Sequence, residues 1–218
     1  MQDFFKQVGE YFKNMFDNFL EIAIVFFCVV AITVIFALAV RGYKKGKFNS
    51  SMITYGGIAI ALSMVLNLIT VYSMPNGGSV TAGRILPLLI YSYLFGMPAG
   101  AVVGAVYGIL DFIAKPYFVN VFQFLLDYPL AFACCCFGGL LRNNEKLSTW
   151  SLVIGTVVTG IGRFLFSSVS GALYWGMTFV PSMAYNSVLL VDTAVCLVII
   201  LLLTRSNSFN NLLLSRKI

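Results

Sequence analysis

From residue 52 to residue 204 the chain alternates long apolar runs with short polar breaks, at 52–73, 85–96, 97–114, 119–141, 149–172 and 183–204. A further run covers 19–40 and carries one acid, Glu21, at its edge. About 20 apolar residues in helical form cross the hydrocarbon core of a bilayer, so runs of this kind predict membrane-spanning helices. The runs 85–96 and 97–114 meet at Gly96, Met97 and Pro98 and are short, which predicts a tilted or broken pair. Ahead of them all, Phe4, Phe5, Val8, Phe12, Met15 and Phe16 recur at helical spacing among charged residues. That is the pattern of an amphipathic helix lying in the membrane interface. The chain therefore reads as an all-α integral membrane protein with seven spans: residues 1–50 form the amphipathic segment, one extra transmembrane helix and a basic loop, and residues 51–218 form a six-helix core.

Composition strengthens this picture. The chain is 60% hydrophobic and 10% charged, with mean hydropathy +0.92, whereas soluble domains lie near 45–50% and about 25%. A secretory signal followed by a soluble domain is excluded, because apolar runs recur to the C-terminal region. The net charge of +6 would suggest nucleic acid in a soluble protein. In a membrane protein it is explained by topology, and no nucleic-acid partner is expected. With seven spans, Arg41, Lys44, Lys45 and Lys47, then Arg142 and Lys146, then Arg205, Arg216 and Lys217 all fall on one side. The excess of basic residues on the cytoplasmic side of membrane proteins places the N-terminus outside and the C-terminus in the cytoplasm. Histidine is absent, and the five cysteines match no zinc spacing, so neither a metal site nor a disulfide framework is implied.

Polar groups inside such runs are the candidates for function, since an ionisable side chain within a span is costly. Four stand out: Asp111, Asp127, Arg163 and Asp192. Asp111 is close to the outer end of its helix, where it can snorkel or cap. Asn120, Gln123 and Asp127 share one helical face, with Tyr128 beside them and Tyr117 just ahead. Arg163, Ser167, Ser170 and Tyr174 repeat that geometry on the next helix, and Asp192 follows Tyr185 on the last. These stripes converge in the outer halves of their helices. Together with Tyr117, Tyr128, Tyr174 and Trp175 they describe an aromatic pocket suited to a flat, cationic or N–H-donating ligand. A second reading stays open, in which Asp127 or Asp192 pairs with Arg163 for folding alone.

Gly96, Gly100, Gly104 and Gly108 recur every four residues, which gives a smooth helix face for internal packing. Gly57 and Ala61 have the same small-residue spacing, and either internal packing or a partner helix would explain them. No catalytic motif is present: the chain lacks a GxSxG elbow, an HExxH pair and a phosphate loop.

Three stretches, "PNGGSVTAGRILPLLIYSYLFGMPAGAVVGAVYGILDF", "KPYFVNVFQFLLDYPLAFA" and "RFLFSSVSGALYWG", resemble the thiamine-specific substrate-binding (S) components of energy-coupling factor vitamin transporters. The resemblance covers roughly residues 52–204. It implies a bacterial cell-membrane protein with a six-helix S-component core that captures thiamine from outside. It further implies a transmembrane coupling subunit and two cytoplasmic ATPases as partners, membrane lipid around the helices, and no cofactor on this chain, ATP being used by the partners. Carried over by position, the family's acid–tyrosine pair falls on Asp127 and Tyr128, the acid contacting the aminopyrimidine. Its preceding tyrosine falls on Tyr117, its basic residue on Arg163, its tryptophan on Trp175 and an amide position on Asp192. The docking motif falls on Gly57 and Ala61, and the loop 74–84, with Pro75, Asn76, Gly77 and Gly78, becomes a gate over the ligand.

The chain departs from the family pattern where Ser167 replaces a histidine, Ser187 a tyrosine, Asp127 a glutamate, Arg163 a lysine and Asp192 an asparagine. These departures leave another vitamin, a thiamine precursor or an analogue open as ligand. A membrane enzyme or assembly factor is the alternative from another class.

Overall fold

A computed structural model of the chain describes residues 49–74, 78–117, 119, 121–144, 148–174 and 178–215. The amphipathic segment, the run 19–40 and the basic cluster 41–47 lie outside the described residues, as do Asn120, Lys146 and Trp175.

The first described helix, α1 (Ser50–Leu68), starts where the Asn49 side chain accepts a hydrogen bond from the Met52 amide at 2.8 Å. This side-chain cap satisfies one of the amides that a helix start leaves unpaired. An antiparallel hairpin follows, β1 (Thr70–Ser73) with β2 (Ser79–Thr81), in which Tyr72 lies opposite Val80 and Ser73 opposite Ser79. Then come α2 (Leu86–Phe95), α3 (Met97–Ala114), α4 (Val121–Gly139), α5 (Ser148–Tyr174), α6 (Phe179–Asn186), α7 (Val188–Thr204) and α8 (Asn207–Ser215). Prolines stand in the first turns of α2 and α3, where a missing N–H costs nothing.

Among the described residues, α1, α3, α4, α5 and the stretch formed by α6 and α7 are long and apolar enough to cross a membrane, and α2 is shorter. The six apolar runs of the core thus each become helix. The hairpin is the exception, since the run 52–73 was expected to stay helical to its end. The structure stops the helix at Leu68 and pairs Thr70–Ser73 with a strand from the predicted gate loop. β-branched Thr70 and Val71, followed by Tyr72, favour a strand there.

Burial differs from that of a soluble protein: the outside is largely apolar, and many small polar residues join the apolar core. Ser63, Asn67, Ser92, Thr156, Thr159, Ser168, Ser170 and Ser182 are buried, while Ile53, Leu62, Val65, Val106, Ile161, Val198 and Leu202 are exposed. Several inward hydroxyls donate to a carbonyl one turn back, as Ser92 does to Leu88, Thr156 to Leu152 and Thr193 to Leu189. An apolar outside around a core that mixes apolar and small polar residues fits lipid as the surrounding solvent.

Two local features position the site. The row of glycines on α3 lets α4 approach very closely. A Cβ at Gly104 would strike the Phe132 carbonyl oxygen, and one at Gly108 would lie 2.5 Å from the Tyr128 carbonyl oxygen. The row therefore packs internally, as its spacing predicted. In α4 itself, Pro129 has no N–H to give the helix ladder. The backbone widens into a π turn over Leu126–Leu130 and then tightens into a 3-10 turn over Cys134–Gly139. Asp127 and Tyr128 lie in the widened turn.

Candidate functional site

At the end of the helices that carries the hairpin, a cavity of about 350 Å³ opens between β1–β2, α3, α4, α5 and α6. The opposite end carries Arg142 after α4 and Arg205 after α7.

One wall belongs to α4. Its π turn brings Asp127 into the cavity lining one helical turn beyond buried Gln123. Gln123 Nε2 donates to Asp127 Oδ2 at 2.7 Å, while Gln123 Oε1 accepts from the Val119 amide at 3.2 Å. From α5, the Ser170 hydroxyl donates to the same carboxylate oxygen at 2.8 Å, and Ser167 is a further hydroxyl donor beside it. All these donors are neutral. Among the described residues, no ion pair involves Asp127. Tyr128 packs edge-on against Phe112, centroids 5.1 Å apart, and its hydroxyl reaches the Lys115 carbonyl at 3.4 Å. Lys115, Pro116 and Tyr117 complete this side of the cavity.

The facing wall is ionic. Arg84, between β2 and α2, is 6% exposed; Arg163 on α5 is 2% exposed; Asp111 on α3 is 7% exposed. Arg84 Nη1 donates to Asn67 Oδ1 at 3.1 Å and lies 3.5 Å from Asp111 Oδ2. The Asn67 side-chain amide in turn donates through Nδ2 to Asp111 Oδ1 at 2.6 Å. Behind them Asp192, fully buried on α7, accepts at Oδ1 from both the amide and the hydroxyl of Thr81, each at 2.8 Å. Its Oδ2 accepts from Arg163 Nη1 at 3.1 Å and stands 3.7 Å from Arg84 Nε. Both guanidinium carbons lie over the Phe132 ring, 4.6 Å from its centroid for Arg163 and 5.3 Å for Arg84. Burial by itself would lower the Arg84 pKa, but the Asp111 and Asp192 carboxylates outweigh it and the pKa is raised.

Of the residues singled out in the sequence, Tyr117, Gln123, Asp127, Tyr128, Arg163 and Ser167 line the cavity. Tyr174 is half-buried against the Leu126–Phe166 cluster and is not part of the lining. Asp192 sits behind the ionic wall, so its pairing with Arg163 is a feature of the structure, and its carboxylate reaches the cavity only through the arginines. Trp175 lies outside the described residues. Asp111 was expected at a helix end, free to snorkel; it is buried instead and paired with Arg84. Arg84 and Asn67 were not anticipated at all. Arg84 stands in "TAGRILP", one residue outside an apolar run, and reads there as an ordinary loop charge. Only the hairpin, anchored to Asp192 through Thr81, turns it inward.

The fold and the site define a class: an all-helical, multi-pass membrane protein with a small-molecule cavity among its helices. A model of the thiamine transporter protein family (Thia_YuaJ) matches residues 53–211, and the chain belongs to that family. It is a transporter component, not an enzyme. Its fold is similar to the solved structure of ThiT from Listeria monocytogenes, with a TM-score of 0.57 at 21% identity, over 72% of this chain and 96% of that one. Among curated proteins none matches the chain.

Proposed function

We propose that this chain is the thiamine-binding S component of an energy-coupling factor transporter. It captures thiamine from outside and delivers it inward with a transmembrane coupling subunit and two cytoplasmic ATPases. The chain itself binds and reorients; the partners hydrolyse ATP.

One observation carries the ligand assignment. Asp111 and Asp192 are each neutralised by arginine, whereas Asp127 faces the cavity with neutral donors alone. A carboxylate that lines a cavity without a cationic partner of its own favours a cation or a strong N–H donor as occupant. Thiamine offers both, a thiazolium and an aminopyrimidine, and the Tyr117 and Tyr128 rings suit flat cationic groups. Membership in the thiamine transporter family supports the same reading.

Thiamine titrated into the purified chain should quench tryptophan fluorescence, because Trp175 follows the cavity-lining Gly171 in the same stretch. Asp127→Asn should weaken binding at least about tenfold, the scale of one lost charge-assisted contact. If calorimetry and fluorescence both fail to register thiamine, the ligand is wrong. Equal affinity in wild type and variant would remove Asp127 from the site.

A further inference from the structure

We infer that Thr81, in the base of the hairpin, is a positioning residue for ligand binding. By filling one oxygen of Asp192 it confines Arg163 to the other, and so keeps the Arg163 guanidinium on the cavity lining. This rests on the thiamine reading and adds to that site a residue that does not touch the cargo.

Thr81 and Asp192 are both fully buried, and neither lines the cavity, whereas Arg163 does. Asp192 Oδ1 accepts two hydrogen bonds from this one residue, from the Thr81 amide and from its hydroxyl, each at 2.8 Å. The direction of the hydroxyl is fixed. It has a single proton, and Thr81 Oγ1 already accepts from the Arg84 amide at 3.3 Å, so the proton goes to the carboxylate. An oxygen that accepts twice has its lone-pair directions taken. What remains is Oδ2, to which Arg163 donates from Nη1 at 3.1 Å.

A guanidinium beside a carboxylate frequently pairs in a fork, one N–H to each oxygen. Thr81 closes off that fork. Without its hydroxyl, Oδ1 has room for a second N–H, and Arg163 is the arginine able to supply it. Arg84 is held elsewhere, bonded through Nη1 to Asn67 and 3.5 Å from Asp111. A forked pair turns the Arg163 guanidinium toward Asp192 on α7 and away from the lining. The hairpin that lines the cavity with Ser79 thus also sets, through its base, the cation on the α5 wall.

The test measures thiamine affinity of the full chain in detergent by calorimetry. Thr81→Val and Thr81→Ala, both without the hydroxyl, should weaken binding about three- to tenfold, while Thr81→Ser should stay within about twofold of wild type. The decisive background is Arg163→Lys, because an ammonium keeps the charge and cannot fork. There the loss of the Thr81 hydroxyl should change affinity by less than about twofold. A loss of equal size in both backgrounds, or no loss beside Arg163, would overturn the positioning role. A crystal structure of Thr81→Val reads the same point without ligand. It should show the Arg163 fork on both Asp192 oxygens, and a single unmoved contact would overturn the proposal. Failure of wild type to bind thiamine would remove that ligand, and failure of the lysine chain to bind would remove the affinity comparison. In both cases the structure of the variant decides for or against Thr81.

Discussion

Three carboxylates face or underlie the cavity, and what separates them is the charge of their partners. Asp192 is locked between two arginines and the Thr81 backbone, Asp111 shares Arg84 with Asn67, and Asp127 has hydroxyls and an amide. Removing the charge of Asp111 leaves the buried Arg84 with Asp192, 3.7 Å away, as its remaining counter-ion. Asp111→Asn should therefore cost about 1–3 kcal/mol of stability, visible as a lower thermal midpoint in detergent. An unchanged midpoint would mean that the pair contributes nothing to folding. At this scale the sequence was half legible. Asp127, Gln123 and Arg163 stood out because polar residues at helical spacing are conspicuous in apolar runs. Arg84 did not, and Asp111 stood out only as a helix-end acid free to snorkel or cap, because a charge near the end of a run is normally solvated and only tertiary folding takes it out of water.

At the scale of elements, helices were legible and their irregularities were not. Apolar length predicts a span wherever lipid is the solvent, so the six core runs emerged as helix. The hairpin escaped because its strands are short and one is the tail of an apolar run. The π turn escaped because a proline announces a break in the ladder without saying how the backbone resolves it. The contact between α3 and α4 depends on glycine. Gly104→Leu would drive a side chain into the Phe132 backbone, which cannot yield as a flexible side chain could. The cost should exceed about 3 kcal/mol, and the expected outcome is loss of folded protein in size-exclusion chromatography. Near-normal yield of monodisperse protein would contradict the close approach of these helices.

At the scale of the whole molecule, α1 presents two unlike faces. Met52, Gly56, Ala59, Ser63 and Asn67 turn inward, and Ile53, Gly57, Ile58, Ala61, Leu62 and Val65 are exposed. A Cβ added at Gly57 meets open space among the described residues, so internal packing does not account for it. On the proposed function this face docks on the coupling subunit. Gly57→Leu combined with Ala61→Leu should then abolish thiamine uptake by cells while leaving thiamine affinity of the purified chain within about twofold, a shift of no more than ~0.4 kcal/mol. Normal uptake by the double variant would place the coupling contact elsewhere. Asn67 sits at the inward C-terminal end of the same helix and bonds both Arg84 and Asp111. The ionic wall is thus tied directly to the helix that would meet the partner.

The widened turn in α4 also bears on how chains of this kind change length. A π turn holds one residue more than an α turn, while the helix on either side keeps its phase. Leu126–Leu130 is therefore a segment where a single-residue deletion can be absorbed without the about 100° rotation that such a change imposes elsewhere in a helix. Since Asp127 lies inside it, residue counting from either flank can place the acid one position off when a relative's helix is regular. Superposing backbones, rather than counting along the chain, is the dependable way to find its equivalent.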